Sequence, residues 1–383
     1  MVTARPPARL RSRAVPSIAD LVAADLAASD YVPHAVREVF PDVAPAGIGA
    51  AVEAFCERAL GAPVDDAELF AASVGSVFGV RLRDGRRVVV KVHPPRASVA
   101  YLEAMQAVQR HLAAAGFPAP VPLAPPMRLG RGIAVAETLL DRGAPPDGRD
   151  PAQRRAMAAG LAELVRLARP LTRLAALGEN IMAVPPGALW PTPHDGRFDF
   201  AATSAGAEWI DRIAIAARAI RDAEPAGDSV VGHTDWRAEH LRFEAGRLTA
   251  VYDWDSVTVL PEAVLAGSVA HMFTANFATE TPGPTCEEAL AFVADYEAAR
   301  DGGRFSASER RAARAALVHT MAYTARCEHS DALTDFGRRA PAAGSGKRPA
   351  AVPAGGARAF LAAHAAELLG TGVGPVPQVG PSS

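Results

Sequence analysis

The residues with the most chemical potential lie in one short stretch, His233-Thr234-Asp235-Trp236-Arg237-Ala238-Glu239-His240, followed by Val251-Tyr252-Asp253-Trp254-Asp255. Phosphoryl transfer needs little covalent help from a protein. It needs a positioned nucleotide, a divalent cation against the phosphates and a carboxylate that aligns the attacking hydroxyl. Asp235 is the candidate carboxylate. Arg237, two residues on, is placed to offset developing negative charge. His240 and Asp253 are candidate metal ligands, and Asp255 reads either as a second ligand or as a turn residue. His233 is expected to pack beneath the loop and to hydrogen-bond backbone.

These groups must be brought together by the chain between them. Arg242-Phe243-Glu244, Ala245-Gly246-Arg247 and Leu248 to Tyr252 read as strand, turn and strand. Such a hairpin sets His240 beside Asp253 at its open end. Upstream, the period changes to that of strands at Glu68 to Ala72, Val77 to Leu82 and Arg87 to His93. Asp84-Gly85 supplies a hairpin signal between the last two. Lys91 falls in the apolar run Val88-Val89-Val90-Lys91-Val92, where a charge demands a partner. Glu103, on a helix expected from Ala97 to Ala115, is the natural mate. Ile133 to Leu140 reads as a further strand, and the Pro-rich connector from Ala119 to Pro126 has room for one more.

The run from Asp235 to His240 resembles the catalytic loop of protein kinases and of aminoglycoside phosphotransferases. Val251-Tyr252-Asp253-Trp254 is similar to the metal-binding strand of the aminoglycoside and choline kinase-like families. The likeness spans about residues 69 to 328 and implies an α+β, two-lobed protein-kinase-like fold. It implies a small antiparallel sheet with one main helix, a hinge and a larger helical lobe. It further implies a nucleotide, ATP or GTP, carried with magnesium or with manganese. Lys91, held by Glu103, would grip the phosphates. Ser73-Val74-Gly75-Ser76 would replace the glycine-rich loop, and Glu137 to Leu139 would form the hinge that reads the base. The family commonly has Asn where His240 stands; histidine there resembles the macrolide-phosphotransferase branch.

The 383 residues carry a net charge of −2, with 49% hydrophobic and 21% charged side chains. That length suffices for a large core. The near-neutral balance gives no support for nucleic acid or membrane as a partner. The three cysteines form no CxxC pair, which fits a reducing cytoplasm. The Ala-, Arg- and Pro-rich composition suggests a bacterial source. Expected units are an arm with bracing helices at 1–66, a nucleotide-binding lobe at 67–138, a catalytic and acceptor-binding lobe at 139–337 and a flexible tail at 338–383 with room for a short helix at Ala359 to Leu369.

The partners expected are a nucleotide and a small hydroxyl acceptor, with the chain a monomer or homodimer. Glu287, Glu288, Asp295, Glu297, Glu328, Asp331 and Asp335 read either as an acidic cleft for a polycation or as solvated helix faces. Trp236, Trp254, Phe273, Phe277 and Tyr323 read as core or as an apolar pocket. A weak pseudokinase that binds nucleotide without turnover is the alternative function.

Overall fold

The computed structural model describes residues 16–28, 34–42, 44–279, 281–334 and 355–372. Most of the expected N-terminal arm, Asp335 and the expected tail at 338–383, apart from residues 355–372, lie outside the described residues. The chain opens with three helices, α1 (Ile18–Ala28), α2 (His34–Val39) and α3 (Pro45–Leu60). Strands β1 (Val64–Ala72), β2 (Ser76–Leu82) and β3 (Arg87–His93) follow, then helix α4 (Val99–Ala114) and strands β4 (Pro122–Leu129) and β5 (Gly132–Thr138). The five strands form one antiparallel sheet in the order β1-β2-β3-β5-β4.

Period-two alternation divides this sheet into two faces. Phe78, Val80, Leu82, Val88, Val90 and Val92 point outward and pack against Val52, Phe55 and Leu60 of α3 in one buried cluster. Lys91 and His93 point the other way, towards the catalytic hairpin, where both contact Asp255. Lys91 pairs with Val135 and Val89 with Glu137 across the β3–β5 ladder, so Glu137 shares the inner face with Lys91. Ser98 caps α4 by accepting the Tyr101 amide, and Leu102, Met105 and Val108 turn into the core shared with the larger lobe.

That lobe begins with α5 (Pro151–Ala168), capped by Asp150. After α6 (Glu208–Ala223), strand β6 (Ser229–His233) leads into the motif. The hairpin β7 (Leu241–Glu244) and β8 (Arg247–Val251) and strand β9 (Val257–Pro261) follow, and β9 pairs with β6. Helices α7 (Glu262–Ala270), α8 (Cys286–Ala299), α9 (Ala307–Leu333) and α10 (Gly356–Leu369) complete the lobe. Thr285 with Glu288, and Ser306 with Glu309, form capping boxes on α8 and α9. At Gly267 a β-carbon would sit 1.9 Å from the Ala313 carbonyl, so only glycine lets α7 cross α9 this closely.

Helix α6 starts at Glu208 after a turn in which the Ala207 amide donates to the Ser204 carbonyl. Helix α7 stops at Ala270, and the segment beyond it turns to anchor the motif loop.

Candidate active site

Strand β6 delivers His233 into the interior. Its ring lies edge-on to Trp236 and Trp254, with centroids 5.8 and 5.7 Å away. Nε2 donates to the Tyr252 carbonyl at 2.8 Å, which places the ring proton there and leaves Nδ1 to accept from the Ser256 hydroxyl at 2.9 Å. Burial holds this imidazole below its ordinary pKa. A neutral ring thus ties the start of the loop to the end of the hairpin, and does not itself face the open side. Trp236 and Trp254 donate to the carbonyls of Met157 and Val251, which makes both of them core. Phe273 is core too, whereas Phe277 and Tyr323 are half-buried.

The loop is fastened from outside as well. The amides of Ala238 and Glu239 donate to the carbonyls of Phe273 and Ala275, beyond α7. The Thr234 amide and hydroxyl both donate to Ser256. The hairpin register sets Leu241 opposite Val251, and the Tyr252 amide donates to the His240 carbonyl at 2.9 Å. His240 and Asp253 therefore meet, with Nε2 3.6 Å from Oδ2. Asp253 adopts a left-handed backbone, φ 62°, a conformation aspartate tolerates better than most residues.

The proton of His240 can be placed. Nδ1 lies 3.0 Å from the Asp235 carbonyl, which can only accept, and Nε2 lies 2.9 Å from an Arg237 nitrogen, which can only donate. The Nε2 lone pair therefore accepts from Arg237, so a cation bound there would take the place of this hydrogen bond. One ligand atom each from Asp235, His240 and Asp253 lies within 4.8 Å of the others. Two carboxylate oxygens and an imidazole nitrogen suit a divalent cation, and the nitrogen suits manganese better than magnesium.

Positive charge surrounds this group. Arg237 lies 3.4 Å from Asp235 and stacks over Phe277, 4.4 Å from the ring centroid. Burial works to raise the Asp235 pKa, but Arg237 and His240 outweigh it and hold the carboxyl below its usual range. Burial likewise opposes ionisation of Asp253, which Lys91 and His240 overcome to leave it far below a normal carboxylate. Lys91 is in ion-pair contact with Asp253 and lies 3.0 Å from Asp255. These two acids overcome the burial that would discharge the ammonium, and keep its pKa above the ordinary lysine value.

Two expected assignments are corrected here. Glu103 does not pair with Lys91: it is exposed on α4, with Arg110, near Pro122, Pro125 and Pro126. The buried residues of α4 are apolar, aromatic or, at Gln106 and Gln109, amides, so the cation finds its carboxylates at the end of the hairpin instead. Asp255 does not join the metal-ligand group. It lies 3.0 Å from Lys91 and 3.4 Å from His93, because the turn after Asp253 swings it towards the sheet.

The turn from Ser73 to Ser76 folds over Lys91. A β-carbon on Gly75 would lie 2.9 Å from the Val92 carbonyl and 3.6 Å from Lys91 Cε. The Ser76 hydroxyl is buried without a hydrogen-bond partner, and Ser73 donates its amide to the Gly75 carbonyl. At the hinge, the amides of Thr138 and Leu139 donate to the carbonyls of Val121 and Arg87, so both are engaged within the small lobe. Glu137 accepts from Gln109 of α4, and burial pushes its carboxyl up to about 7.

Sequence reasoning passed over His93 and Gln109. His93 was findable, since it lies two residues past Lys91 on a strand and so shares its face. Gln109 carried no such signal.

Two lobes, with this charge cluster where a five-stranded sheet meets a helical body, define a protein-kinase-like architecture. The chain belongs to the phosphotransferase enzyme family (APH), whose family model matches residues 68–306, more than half of the chain. It is a phosphotransferase that uses an alcohol group as acceptor.

Solved structures resemble it at low identity. An amicoumacin kinase bound to AMP-PNP, calcium and amicoumacin has 10% identity and a TM-score of 0.51, over 73% of this chain and 84% of that one. The macrolide 2'-phosphotransferase MphH of Brachybacterium faecium has 19% identity and a TM-score of 0.43, over 74% and 97%. The aminoglycoside phosphotransferase APH(4)-Ia with ADP and hygromycin B has 17% and 0.46, over 75% and 94%. No curated protein matches the chain in sequence. No described helix is long and apolar enough to cross a membrane.

Proposed function

We propose that the protein moves the terminal phosphoryl group of ATP or GTP to a hydroxyl of a small metabolite or antibiotic. One observation carries this reading: Asp235, His240 and Asp253 converge to within 4.8 Å, beside the inward-facing Lys91.

Asp235 is kept ionised and accepts the hydrogen bond of the incoming hydroxyl, which aligns that oxygen and lets its proton leave as the bond to phosphorus forms. Arg237 lies between Asp235 and His240 and offsets negative charge on the transferred group. His240 and Asp253 hold the divalent cation, magnesium or manganese; when bound, it would neutralise phosphate oxygens and orient the nucleotide. Lys91 bridges Asp253 and Asp255 and gives one of these contacts to a phosphate, keeping the other as its anchor. His233 keeps the loop and the hairpin in register. The turn from Ser73 to Ser76 covers the phosphates, and Glu137 and Leu139 flank the base.

Asp235→Ala tests the assignment. Turnover with a productive acceptor should fall at least about a thousandfold, roughly 4 kcal/mol in transition-state stabilisation. Nucleotide affinity should change less than about threefold. An Asp235→Ala protein that keeps a tenth of its activity removes Asp235 from catalysis.

A further inference from the structure

The acidic residues of the C-terminal helices decide what kind of acceptor this lobe can hold. Recognition of a polycation requires carboxylates that are free to pair with it. Here most are already engaged. Glu288 lies 2.6 Å from Arg149, Asp295 2.7 Å from Arg154 and Glu297 3.0 Å from Arg310. Asp331 lies 3.5 Å from Arg197. Glu328 accepts the amides of Ala357 and Arg358 at 2.7 and 3.1 Å, and so fixes the start of α10. Near the motif, Glu239 lies 3.5 Å from Arg237. Glu287 is exposed on α8 and belongs to no such pair among these.

A cluster of aromatic rings gathers between α9 and the connection that precedes α6. Trp190, His194, Phe198 and Phe200, from the long connection between α5 and α6, meet His319 and Tyr323 of α9. Tyr323 has ring centroids 5.8 Å from His194, 5.7 Å from Phe200 and 6.1 Å from Trp190. His319 adds its ring 5.6 Å from Trp190, and its Nε2 is buried with no hydrogen-bond partner.

This cluster borders the motif. His194 interacts electrostatically with both Asp235 and Arg237, as does His271 at the end of α7. Burial keeps both imidazoles neutral, with pKa values pushed down to about 4. Arg96, just after β3, donates to the His194 carbonyl at 3.0 Å and so holds this segment against the small lobe.

The ring of His194 is oriented. The Tyr323 hydroxyl accepts the His194 amide at 3.2 Å and lies 2.7 Å from Nδ1, so these two contacts fix the ring and leave Nε2 as its other polar atom.

We propose that the acceptor is an uncharged or singly charged hydroxyl compound with an apolar face, seated between Asp235 and the His194–Tyr323 pair, and not a polycation. The inference rests on the kinase reading of Asp235. The apolar face lies against the aromatic wall, where burial of its surface supplies the affinity. His194 Nε2 hydrogen-bonds one polar group of the acceptor and so sets which hydroxyl reaches Asp235.

The test uses the full chain with nucleotide and manganese or magnesium, and three probes: a neutral hexose, a macrolide lactone with one amine, and an aminoglycoside with four amines. The lactone should be phosphorylated, with an acceptor KM that changes less than about threefold between 50 and 500 mM salt, since little charge is paired on binding. Tyr323→Phe frees Nδ1 and should raise that KM about tenfold while leaving the nucleotide KM within about twofold. Preferred turnover of the aminoglycoside, with a KM that climbs steeply with salt, overturns the proposal. Indifference to all three probes also overturns it. Failure of the kinase reading itself looks different, because metal-dependent nucleotide binding is then lost before any acceptor is added.

Discussion

The two faces of the small-lobe sheet are made by the same strands and do opposite things. On β3, Val88, Val90 and Val92 are fully buried against the bracing helices. The residues between and beside them include Lys91 and His93, which reach acids of the catalytic hairpin. The outer face is satisfied by shape and area alone. The inner face adds charge pairing across the lobes to the apolar burial of Ile133 and Val135. A strand alternating at period two can thus carry stability on one side and chemistry on the other, and the two should respond separately to substitution.

The largest separable effect is expected on the outer face. Phe55 of α3 is fully buried in the cluster beneath the sheet. Phe55→Ala should cost about 3–5 kcal/mol of stability by the loss of contacts and the cavity left behind. Chemical denaturation checks the loss, and kinetic constants measured well below the melting temperature should stay within about twofold. A drop in kcat that exceeds the loss of folded protein would show that the two faces are coupled.

The next effect belongs to the inner face and depends on pH. Burial raises the Glu137 carboxyl from 4.5 to about 7. Between these values the native state keeps a proton that the unfolded chain has released, so stability falls as pH rises through this window. The shift corresponds to roughly 3 kcal/mol, reached above pH 7. Glu137→Gln keeps an acceptor for Gln109 and removes the titration. The variant should match the parent near pH 4.5 and exceed it increasingly up to pH 8. Melting curves at four pH values would show this, and parallel curves for the two proteins would contradict it.

Much of this division was legible in the sequence. The apolar alternation and Asp84-Gly85 placed β2 and β3, and Ala245-Gly246 placed the hairpin that joins His240 to Asp253. Lys91 announced itself because a lysine amid valines needs a partner. Which partner was not legible, since α4 offers Glu103 one residue away from the buried Leu102, and a helix face turns by about 100° per residue. The strand β4 was legible only as room for one more strand in the connector, because Pro122, Pro125 and Pro126 mask its pattern. It lies at the sheet edge, next to β5 alone, where missing amide donors break no ladder on the open side. The aromatic cluster was hidden. Its members come from an irregular connection and from α9, over a hundred positions apart in the chain, and no local period announces such a meeting. The direction of Asp255 depends on the left-handed turn at Asp253, which spacing alone does not reveal.

The central claim is that the group of Asp235, His240 and Asp253 beside Lys91 is a metal–nucleotide site. Thermal stability during titration with ATP and with GTP, each with magnesium, with manganese and without metal, tests it most directly. With metal present, one nucleotide at a hundred times its dissociation constant should stabilise the chain by about 2.7 kcal/mol. Asp253→Ala should remove the metal dependence. A stabilisation unaffected by metal, or unchanged in Asp253→Ala, would contradict the account.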